Sequence, residues 1–222
     1  MKLCELTIQD FIRGVGSPVP TPAGGSVAAL CGSLGTALTR MVASLTLSHE
    51  KYKEHHELMR DVKKGIKELT EQFMELIQED SEAYEQVITA YKLPKGTCEE
   101  KSARKTAVEI AFKQAATVPM KTLRASEALI RLTGETLDKG NPHTMTDAAT
   151  ALYLAYAAAS ASVYNIKINL LNIEDDIFVS AYQMEAEKTA KHIEKTFHDV
   201  KCRFEKRLST EIKLKSLERD CD

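Results

Sequence analysis

One aspartate interrupts an otherwise apolar helical stripe in the first half of the chain. Over residues 53–91 the apolar side chains recur at helical spacing, so one face of a long helix is predicted to be buried. Asp80 lies on this face, close to Leu76, Ile77 and Tyr84, which are predicted to point inward with it. The two rows of the stripe are Met59, Ile66, Phe73, Asp80, Val87 and Val62, Leu69, Leu76, Ala83, Ala90.

A carboxyl group in such a position has a definite chemical use. Burial disfavours the charged form and raises the pKa of a carboxylic acid, which suits a general acid–base group working near neutral pH. The alternative is a structural acid whose charge is satisfied by a neighbouring lysine, arginine or helix N-terminus. The periodicity alone leaves both interpretations of Asp80 open.

A second candidate is the glycine turn at residues 20–26, Pro-Thr-Pro-Ala-Gly-Gly-Ser. Gly24 and Gly25 allow the backbone to approach another group closely, and Ser26 opens a helix whose free N–H groups attract negative charge. The turn has no Gly-Lys-Ser/Thr ending and follows no strand, which excludes a P-loop and a dinucleotide-binding fold. The simpler interpretation is a capped helix start with glycines for close helix packing.

Polar residues also punctuate a late, alanine-rich helix. Asn165, Asn169 and Asn172 are spaced by four and three, so they share one face. Their amides can bind a heterocycle or bridge buried backbone groups, and Asn172 is near enough to the helix end to serve as a cap. Asp147 lies in the first turns, where the helix dipole favours a carboxylate in any case.

The histidines and cysteines do not form a metal-binding pattern. Five dispersed cysteines lack any CxxC pair, and His49, His55 and His56 occur in a charged, solvated stretch. His143 near a helix start is assigned no catalytic role. We therefore expect no metal, no cofactor and no disulfide framework.

The overall charge excludes one class of partner. The 222 residues carry 30 Lys and Arg against 32 Asp and Glu, a formal net charge of −2. A nucleic-acid-binding protein needs a clustered cationic surplus, so no nucleic-acid partner is expected. Individual lysines remain candidates for contacting a small anionic ligand.

The location is predicted from two further features. Glu5 and Asp10 occupy positions where a signal peptide would be apolar. The apolar segment 26–47 contains Arg40, and segment 148–166 is rich in Ala, Ser and Thr, which enter lipid weakly. We expect a cytoplasmic protein with no membrane partner.

Sparse prolines and helical periodicity predict an all-α fold, an antiparallel bundle of long helices in a single domain over residues 1–222. The helices are expected near residues 7–14, 24–47, 53–91, 99–132, 141–172 and from 175 onward. A kink or break is expected at Pro119, a connection from Gly134 to Gly140, and fraying of the tail after Arg203.

The string Pro20-x-Pro22-x-Gly24-Gly25-Ser26-Val27-Ala28-Ala29 resembles the N-terminal signature of the formiminotetrahydrofolate cyclodeaminase and methenyltetrahydrofolate cyclohydrolase family. Asp80-x-x-Ala83-Tyr84 followed by Leu93-Pro94-Lys95 is similar to that family's Asp-x-x-Ala-Phe and Leu-Pro-Lys. Further matches in the same order are Met41-Val42, Leu45-Thr46, Lys51-Tyr52, Gly140-Asn141, Asp147, Asn165 and Asn169. Ala23 replaces a glycine of many members, and Gln78 stands where some carry a second acid.

The resemblance implies an enzyme of folate one-carbon metabolism with Asp80 as the catalytic acid–base group. The implied reaction converts 5-formimino-tetrahydrofolate to 5,10-methenyl-tetrahydrofolate with release of ammonia, a step of histidine degradation. The alternative is hydrolysis of the methenyl ring to 10-formyl-tetrahydrofolate. The substrate-binding residues would be Gly24, Gly25, Ser26, Lys51, Lys95, Asn141, Asp147, Asn165 and Asn169, with Lys51 or Lys95 meeting the glutamate tail.

A homodimer is expected as well, because the family resemblance implies oligomerisation and small residues on helix faces permit close packing. The competing class of function is a non-catalytic helical scaffold that uses its Ala- and Ser-rich faces for assembly. A scaffold would not bind tetrahydrofolates, whereas the enzyme would be stabilised by them.

Overall fold

The computed structural model describes the backbone of residues 2–219 and the side chains of residues 2–211. This part of the chain contains no strand, which confirms the all-α prediction. Short 3-10 turns occur at Leu3–Glu5, Glu50–His55 and Pro142–Thr144. The six helices are α1 (Ile8–Val15), α2 (Gly24–Leu47), α3 (His56–Tyr91), α4 (Cys98–Lys139), α5 (Met145–Leu170) and α6 (Asp176–Arg219).

Four of these helices form an antiparallel bundle. Each of α2, α3, α4 and α5 packs against the next helix in the chain, and α5 packs back against α2 to close the ring. Helix α6 lies over α4 and α5. The short connections between consecutive helices impose this arrangement, because neighbouring elements must then lie side by side.

Local signals explain where several helices begin. Thr7 caps α1 by accepting a hydrogen bond from the N–H of Asp10. At α4, Thr97 and Glu100 form a capping box in which each side chain binds the backbone of the other. Asn141 precedes Pro142 and caps the short turn that leads into α5. The predicted starts therefore hold to within a few residues.

The predicted stripe of α3 is buried as expected. Every apolar member of its two rows, Leu76 included, is nearly inaccessible to solvent, and Ile77 is buried as well. Tyr84 is the exception, since 41% of its surface is exposed. The prediction that Tyr84 points inward was wrong. Helix α2 begins at the level of Asp80, so α2 does not cover the next turn of α3, where Tyr84 lies.

The predicted connection from Gly134 to Gly140 was also wrong, since α4 continues to Lys139. Gly134 serves close packing, because a Cβ there would lie 3.1 Å from Val200 of α6. The predicted break at Pro119 is absent as well, and α4 is helical on both sides of this proline. Tertiary contacts thus override the local helix-breaking signals.

Two corrections concern helix ends. Helix α5 ends at Leu170, and the Asn172 amide donates to the Ile168 carbonyl at 3.2 Å, which is the capping role considered above. Helix α6 continues past Arg203 to Arg219. Arg207 helps to hold it, since its guanidinium donates to the carbonyl oxygens of Leu137 and Gly140.

Within the described residues, one helix is long and apolar enough to cross a membrane by length and composition, namely α2. Half of its most apolar window is buried inside the bundle. Its inner face contacts α3, α4 and α5. This packing accounts for its hydrophobic content on the inner side.

Candidate active site

Asp80 lies where the α3 stripe meets the start of α2. The two helices approach closely because glycines of α2 face large or polar groups of α3. A Cβ on Gly32 would lie 2.2 Å from the Phe73 ring, and one on Gly25 would lie 1.9 Å from Oδ1 of Asp80. Gly25 therefore makes room for the carboxylate, and any larger residue there would displace it.

Ser26 holds the other oxygen of this carboxylate. Its backbone N–H donates to Oδ2 of Asp80 at 2.7 Å, and its hydroxyl lies 3.0 Å from the same oxygen. The residue that precedes α2, Ala23, has no side chain that could cap the helix. Asp80 thus supplies the N-terminal cap of α2 from 54 positions along the chain, in a site favoured by the helix dipole.

The environment of Asp80 acts on its pKa in two directions. Burial raises the pKa above its ordinary value, and the two hydrogen bonds from Ser26 lower it by a smaller amount. The net direction is upward, as a general acid–base group requires. The structure thus combines both sequence interpretations, because Asp80 is a helix cap and also a carboxyl group with a raised pKa.

The Ser26 hydroxyl has several partners and a single proton. It can donate to the carbonyl oxygen of Ile77 at 2.9 Å or to Asp80, and it lies 3.2 Å from the Ser81 hydroxyl. It can therefore donate to an ionised Asp80, or accept from a protonated one while donating to Ile77. Ser26 is fully buried, so its side chain positions Asp80, whereas a direct substrate contact was predicted.

Asn165 lies beside Gly24, the residue that precedes Gly25. A Cβ on Gly24 would be 3.8 Å from Oδ1 of Asn165, which is ordinary contact distance. The Asn165 amide donates to the Ala161 carbonyl at 2.9 Å. Among the described residues no group donates to Oδ1 of Asn165, so this oxygen can accept a hydrogen bond from a ligand.

Asn169 has a structural task that its sequence position did not reveal. Its amide donates to the Ala115 carbonyl at 2.8 Å and to the Asn165 carbonyl at 2.9 Å. Ala115 is four residues before Pro119, which has no N–H with which to bind that carbonyl. Asn169 therefore satisfies the backbone oxygen that the proline leaves free, and this explains why α4 continues through Pro119.

Two residues extend the site along α3. Tyr84 follows Asp80 by one turn on the same face, and its ring is partly exposed. Lys95 lies in the exposed connection after α3, at the same end of the bundle as Asp80. Tyr84 was not predicted as a site residue, although its four-residue spacing from Asp80 carried that signal.

The remaining predicted site residues lie at the opposite end of α2. The backbone N–H of Asn141 donates to the Thr46 hydroxyl at 2.9 Å, and the Tyr52 hydroxyl donates to Oδ1 of Asn141 at 3.0 Å. The ammonium of Lys51 lies 4.8 Å from the centre of the Tyr52 ring. Asp147 is in the first turn of α5, close to the same end.

The predicted substrate-binding residues therefore form two groups, one at each end of α2. Ser26 and Thr46 are 20 residues apart on α2, which at 1.5 Å per residue is roughly 30 Å. Lys51, Asn141 and Asp147 therefore lie about this far along α2 from Asp80 of the same chain, and their contact with the substrate stays a prediction. The packing of segments that are distant in sequence determines which residues lie at the same end of the bundle. Local spacing in the sequence does not encode this packing.

Gln78, which stands where some family members carry an acid, anchors the N-terminal segment. Its side-chain oxygen accepts a hydrogen bond from the N–H of Leu3 at 2.9 Å, and its amide donates to Glu82 at 3.0 Å. His143 is exposed. No three His, Cys, Asp or Glu side chains in the described part of the chain lie close enough together to hold a metal ion.

The chain is similar in sequence to proteins of one known family. The model of the formiminotransferase-cyclodeaminase family matches residues 7–188. A methenyltetrahydrofolate cyclohydrolase of Methylorubrum extorquens is 35% identical over 82% of this chain and 87% of its own length. The mouse formimidoyltransferase-cyclodeaminase is 30% identical over 79% of this chain, which spans 32% of that longer protein.

A solved structure has the same fold. The crystal structure of formiminotetrahydrofolate cyclodeaminase from Thermotoga maritima superimposes with a TM-score of 0.83 at 28% sequence identity, and the match covers 93% of this chain and 99% of that one. For the Methylorubrum and Thermotoga proteins the match extends over most of both chains. The chain belongs to the formiminotransferase-cyclodeaminase family.

Proposed function

We propose that the chain acts on the one-carbon unit between N5 and N10 of a reduced folate, with Asp80 as the general acid–base group. The observation that carries this proposal is that the two oxygens of the Asp80 carboxyl group have different surroundings. Oδ2 is held by Ser26, whereas Oδ1 lies against Gly25, where no side chain intervenes. One oxygen is thus fixed, and the other is available to exchange a proton with a ligand.

The first candidate reaction is hydrolysis of 5,10-methenyl-tetrahydrofolate to 10-formyl-tetrahydrofolate. Asp80 would accept a proton from water as the oxygen adds to the methenyl carbon. The bond from that carbon to N5 then breaks while the new hydroxyl proton moves to N5, which leaves the formyl group on N10. The 35% identity to a methenyltetrahydrofolate cyclohydrolase, over most of both chains, favours this reaction.

The second candidate is closure of 5-formimino-tetrahydrofolate with loss of ammonia. N10 would attack the formimino carbon and give its proton to Asp80, which would return a proton to the departing amine. The Ser26 hydroxyl can serve both protonation states of Asp80 in this sequence. The fold shared with a cyclodeaminase supports this candidate, and it would give the chain a role in histidine degradation.

The groups around Asp80 suit the proposed substrate. The free N–H groups of Gly24 and Gly25 and the amide oxygen of Asn165 can hydrogen-bond a pteridine. The exposed ring of Tyr84 offers a surface on which an aromatic part of folate can stack. Lys95 can attract the carboxylates of the glutamate tail. No metal or cofactor is needed for either reaction.

We further propose that the enzyme works in the cytoplasm as a homodimer. The cysteines whose side chains are described, Cys4, Cys31, Cys98 and Cys202, carry free thiols, as is usual in a reducing compartment. The exposed apolar side chains of Leu34, Met41 and Leu45 on α2 support the dimer.

The proposal is tested by assaying the purified protein with both folates at the methenyl absorbance. Hydrolysis gives a fall in absorbance with methenyl-tetrahydrofolate, whereas cyclodeamination gives a rise with the formimino substrate and stoichiometric ammonia. The Asp80→Asn variant is the control for the chemistry. If the wild-type protein turns over neither folate, the proposed function is wrong.

A further inference from the structure

Three buried hydroxyl groups in the six helices depart from the bonding pattern of the others. The others donate to a carbonyl three or four residues earlier in their own helix, and they belong to Thr36, Thr39, Thr46, Thr122, Ser126, Thr136 and Ser162. The three exceptions are Ser26, Ser81 and Thr133. The first two contact each other, and Ser26 also contacts the carboxyl group of Asp80.

The Ser81 hydroxyl has a single hydrogen-bond partner in the described part of the chain. It lies 3.2 Å from the Ser26 hydroxyl, and Ser81 is only 5% exposed. The carbonyl four residues before Ser81, that of Ile77, lies 2.9 Å from the Ser26 hydroxyl instead. Because a buried O–H group without an acceptor is costly, Ser81 donates its proton to Ser26.

This bond leaves the Ser26 hydroxyl with its own proton and one free lone pair. The proton can reach Oδ2 of Asp80 at 3.0 Å or the carbonyl oxygen of Ile77 at 2.9 Å. In the continuous helix α3 the Ile77 carbonyl already accepts a backbone N–H, so it keeps a partner when the hydroxyl turns away. The Ser26 hydroxyl can therefore follow the charge of Asp80.

We propose that Ser81 is a positioning residue of the active site, which donates to Ser26 and thereby directs the Ser26 hydroxyl toward the carboxylate of Asp80. A hydroxyl group that accepts a hydrogen bond is polarised, so it donates more strongly to a charged acceptor. Ser81 thus stabilises the ionised form of Asp80 through Ser26. The inference deepens the proposed function and rests on it, because this control matters to a carboxyl group that exchanges protons during turnover.

The carboxyl group of Asp80 is held between two opposing influences. Burial raises its pKa, and the two hydrogen bonds from Ser26 lower it. A group that first accepts a proton and then returns it works best when its pKa lies near the working pH. Ser81 strengthens the lowering influence, so it keeps Asp80 able to act as a base although the site is buried.

The charged groups of the neighbouring elements are paired, exposed or distant. Glu79 of α3 forms an ion pair with Lys121 of α4 at 2.8 Å. Arg40, the single charged residue of α2, lies roughly 20 Å along the helix from its first turn. Lys167 of α5 is exposed, and Tyr84 of α3 carries an uncharged phenol near neutral pH. The hydroxyl groups described above are therefore the side chains that most directly oppose the effect of burial.

The pH dependence of turnover tests the role of Ser81. Ser81→Ala removes the bond that polarises Ser26, so the acidic limb of the kcat/KM profile should move to higher pH, by less than in Ser26→Ala. A shift of roughly 0.2–0.6 pH unit is expected, because polarisation strengthens a charge-assisted hydrogen bond by about 10–30%. Ser81→Thr keeps the hydroxyl and should restore the wild-type profile. An unchanged profile in Ser81→Ala, or a shifted one in Ser81→Thr, would overturn the role.

Thr133→Val is the matched control, because Thr133 belongs to a second buried pair of hydroxyl groups. Its hydroxyl lies 2.8 Å from that of Thr39, which donates to the Gly35 carbonyl at 2.9 Å. In the described structure no carboxylate is bonded to this pair. Thr133→Val should lower stability and leave the pH profile in place. A shift as large as that of Ser81→Ala would mean that the profile reports stability, and the role of Ser81 would be wrong.

A double-mutant cycle shows whether Ser81 acts through Ser26. In a Ser26→Ala background the hydroxyl that Ser81 polarises is gone, so adding Ser81→Ala should cause no further shift of the profile. The same shift in both backgrounds would mean that Ser81 acts independently of Ser26, which contradicts the proposed role.

A titration without substrate separates this inference from the proposed function. With a carbon-13 label in the aspartate carboxyl groups, the NMR signal of Asp80 is identified by its loss in Asp80→Asn. Its titration midpoint should be higher in Ser81→Ala than in wild type. If the midpoint does not move, Ser81 lacks the proposed role even when the enzyme is active. If the midpoint moves and neither folate is turned over, the control of Asp80 by Ser81 is supported and the proposed function is wrong.

Discussion

At the residue scale, Asp80 combines an observed role as a helix cap with a proposed role as an acid–base group. As a cap it offers a carboxylate to the first turn of α2, and in the proposed acid–base role it would exchange a proton with a ligand. Both roles depend on Ser26, which binds one oxygen through its N–H and its hydroxyl. The same contact therefore fixes the helix start, orients the reactive oxygen and limits how far burial can raise the pKa of Asp80.

Replacing Asp80 by asparagine should separate chemistry from structure. The asparagine amide keeps an oxygen that can accept from the Ser26 N–H but cannot exchange a proton, so turnover should fall by about 10²–10⁴-fold. Steady-state kinetics measure the loss, and circular dichroism checks that the fold is retained. A well-folded Asp80→Asn enzyme with the wild-type rate would exclude the acid–base role.

The same variant should show an opposite effect on stability. Because the pKa of Asp80 is raised on folding, the folded state binds this proton more tightly than the unfolded state does. The stability of the wild-type protein therefore decreases as pH rises from 3.8 through the raised pKa. Asp80→Asn should unfold at a higher denaturant concentration than wild type at neutral pH, and the gain should shrink as pH is lowered.

Ser26→Ala is predicted to change the pH dependence of the reaction. It removes a hydrogen bond that lowers the pKa of Asp80, so the acidic limb of the kcat/KM profile should move to higher pH. Ser126→Ala is a suitable control, because Ser126 is a fully buried serine bound to its own helix. An unchanged profile for Ser26→Ala would mean that Ser26 only caps the helix.

Two glycines of α2 allow a paired test of the close approach to α3. Gly25→Ala would drive a Cβ into the Asp80 carboxylate, and a displacement of about 1 Å can reduce the rate by about 100-fold. Gly32→Ala would collide with the buried Phe73 ring, so it should destabilise the fold by about 1–3 kcal/mol and leave the activity of folded protein nearly unchanged. Equal losses of activity in both variants would contradict a special role for Gly25.

The sequence predicted Asp80 because its periodicity is local, and α3 maintains that period over about ten turns. The partners of Asp80 could not be predicted in the same way. Ser26 was expected to touch the substrate, whereas its pairing with Asp80 depends on the alignment of two helices 54 residues apart. Lys51 and Asn141 were grouped with Asp80 for the same reason, since motif order does not specify which end of a bundle a residue occupies.

At the element scale, a side chain of α5 replaces a hydrogen-bond donor that is missing from the backbone of α4. Pro119 removes a backbone donor from α4, and Asn169 of α5 supplies a replacement to the Ala115 carbonyl. From the sequence, Pro119 predicted a break, and Gly134 contributed to the prediction of an early helix end. The sequence around Pro119 and Gly134 does not reveal which residue of another helix each one packs against. Both expectations failed because these contacts between helices keep α4 helical.

This repair can be measured by a double-mutant cycle. Asn169→Ala should cost about 1–3 kcal/mol because the Ala115 carbonyl is left without a partner. In a Pro119→Ala background the restored backbone N–H takes over, so the cost of Asn169→Ala should become smaller. Chemical denaturation of the four proteins gives the coupling energy. Equal costs in both backgrounds would mean that Asn169 does not compensate for the proline.

At the scale of the whole molecule, ligand binding distinguishes an enzyme from a scaffold. A stable N5-formyl tetrahydrofolate at one hundred times its Kd should stabilise the protein by about 2.7 kcal/mol and raise Tm by about 5–10 °C. p-Aminobenzoylglutamate, which lacks the pteridine, is the control compound. A scaffold would show no shift with either compound.

The pairing of Asp80 with the first turn of α2 also has a consequence for the order of folding. Helix α2 has no side-chain cap of its own, so it gains a finished N-terminus only when α3 has formed and docked against it. That step joins neighbouring segments and is expected to be fast. Asn165 arrives from 141 positions beyond Gly24, and the return of α5 to α2 closes the ring. Asp80 is therefore positioned early in folding, whereas Asn165 reaches the first turn of α2 last.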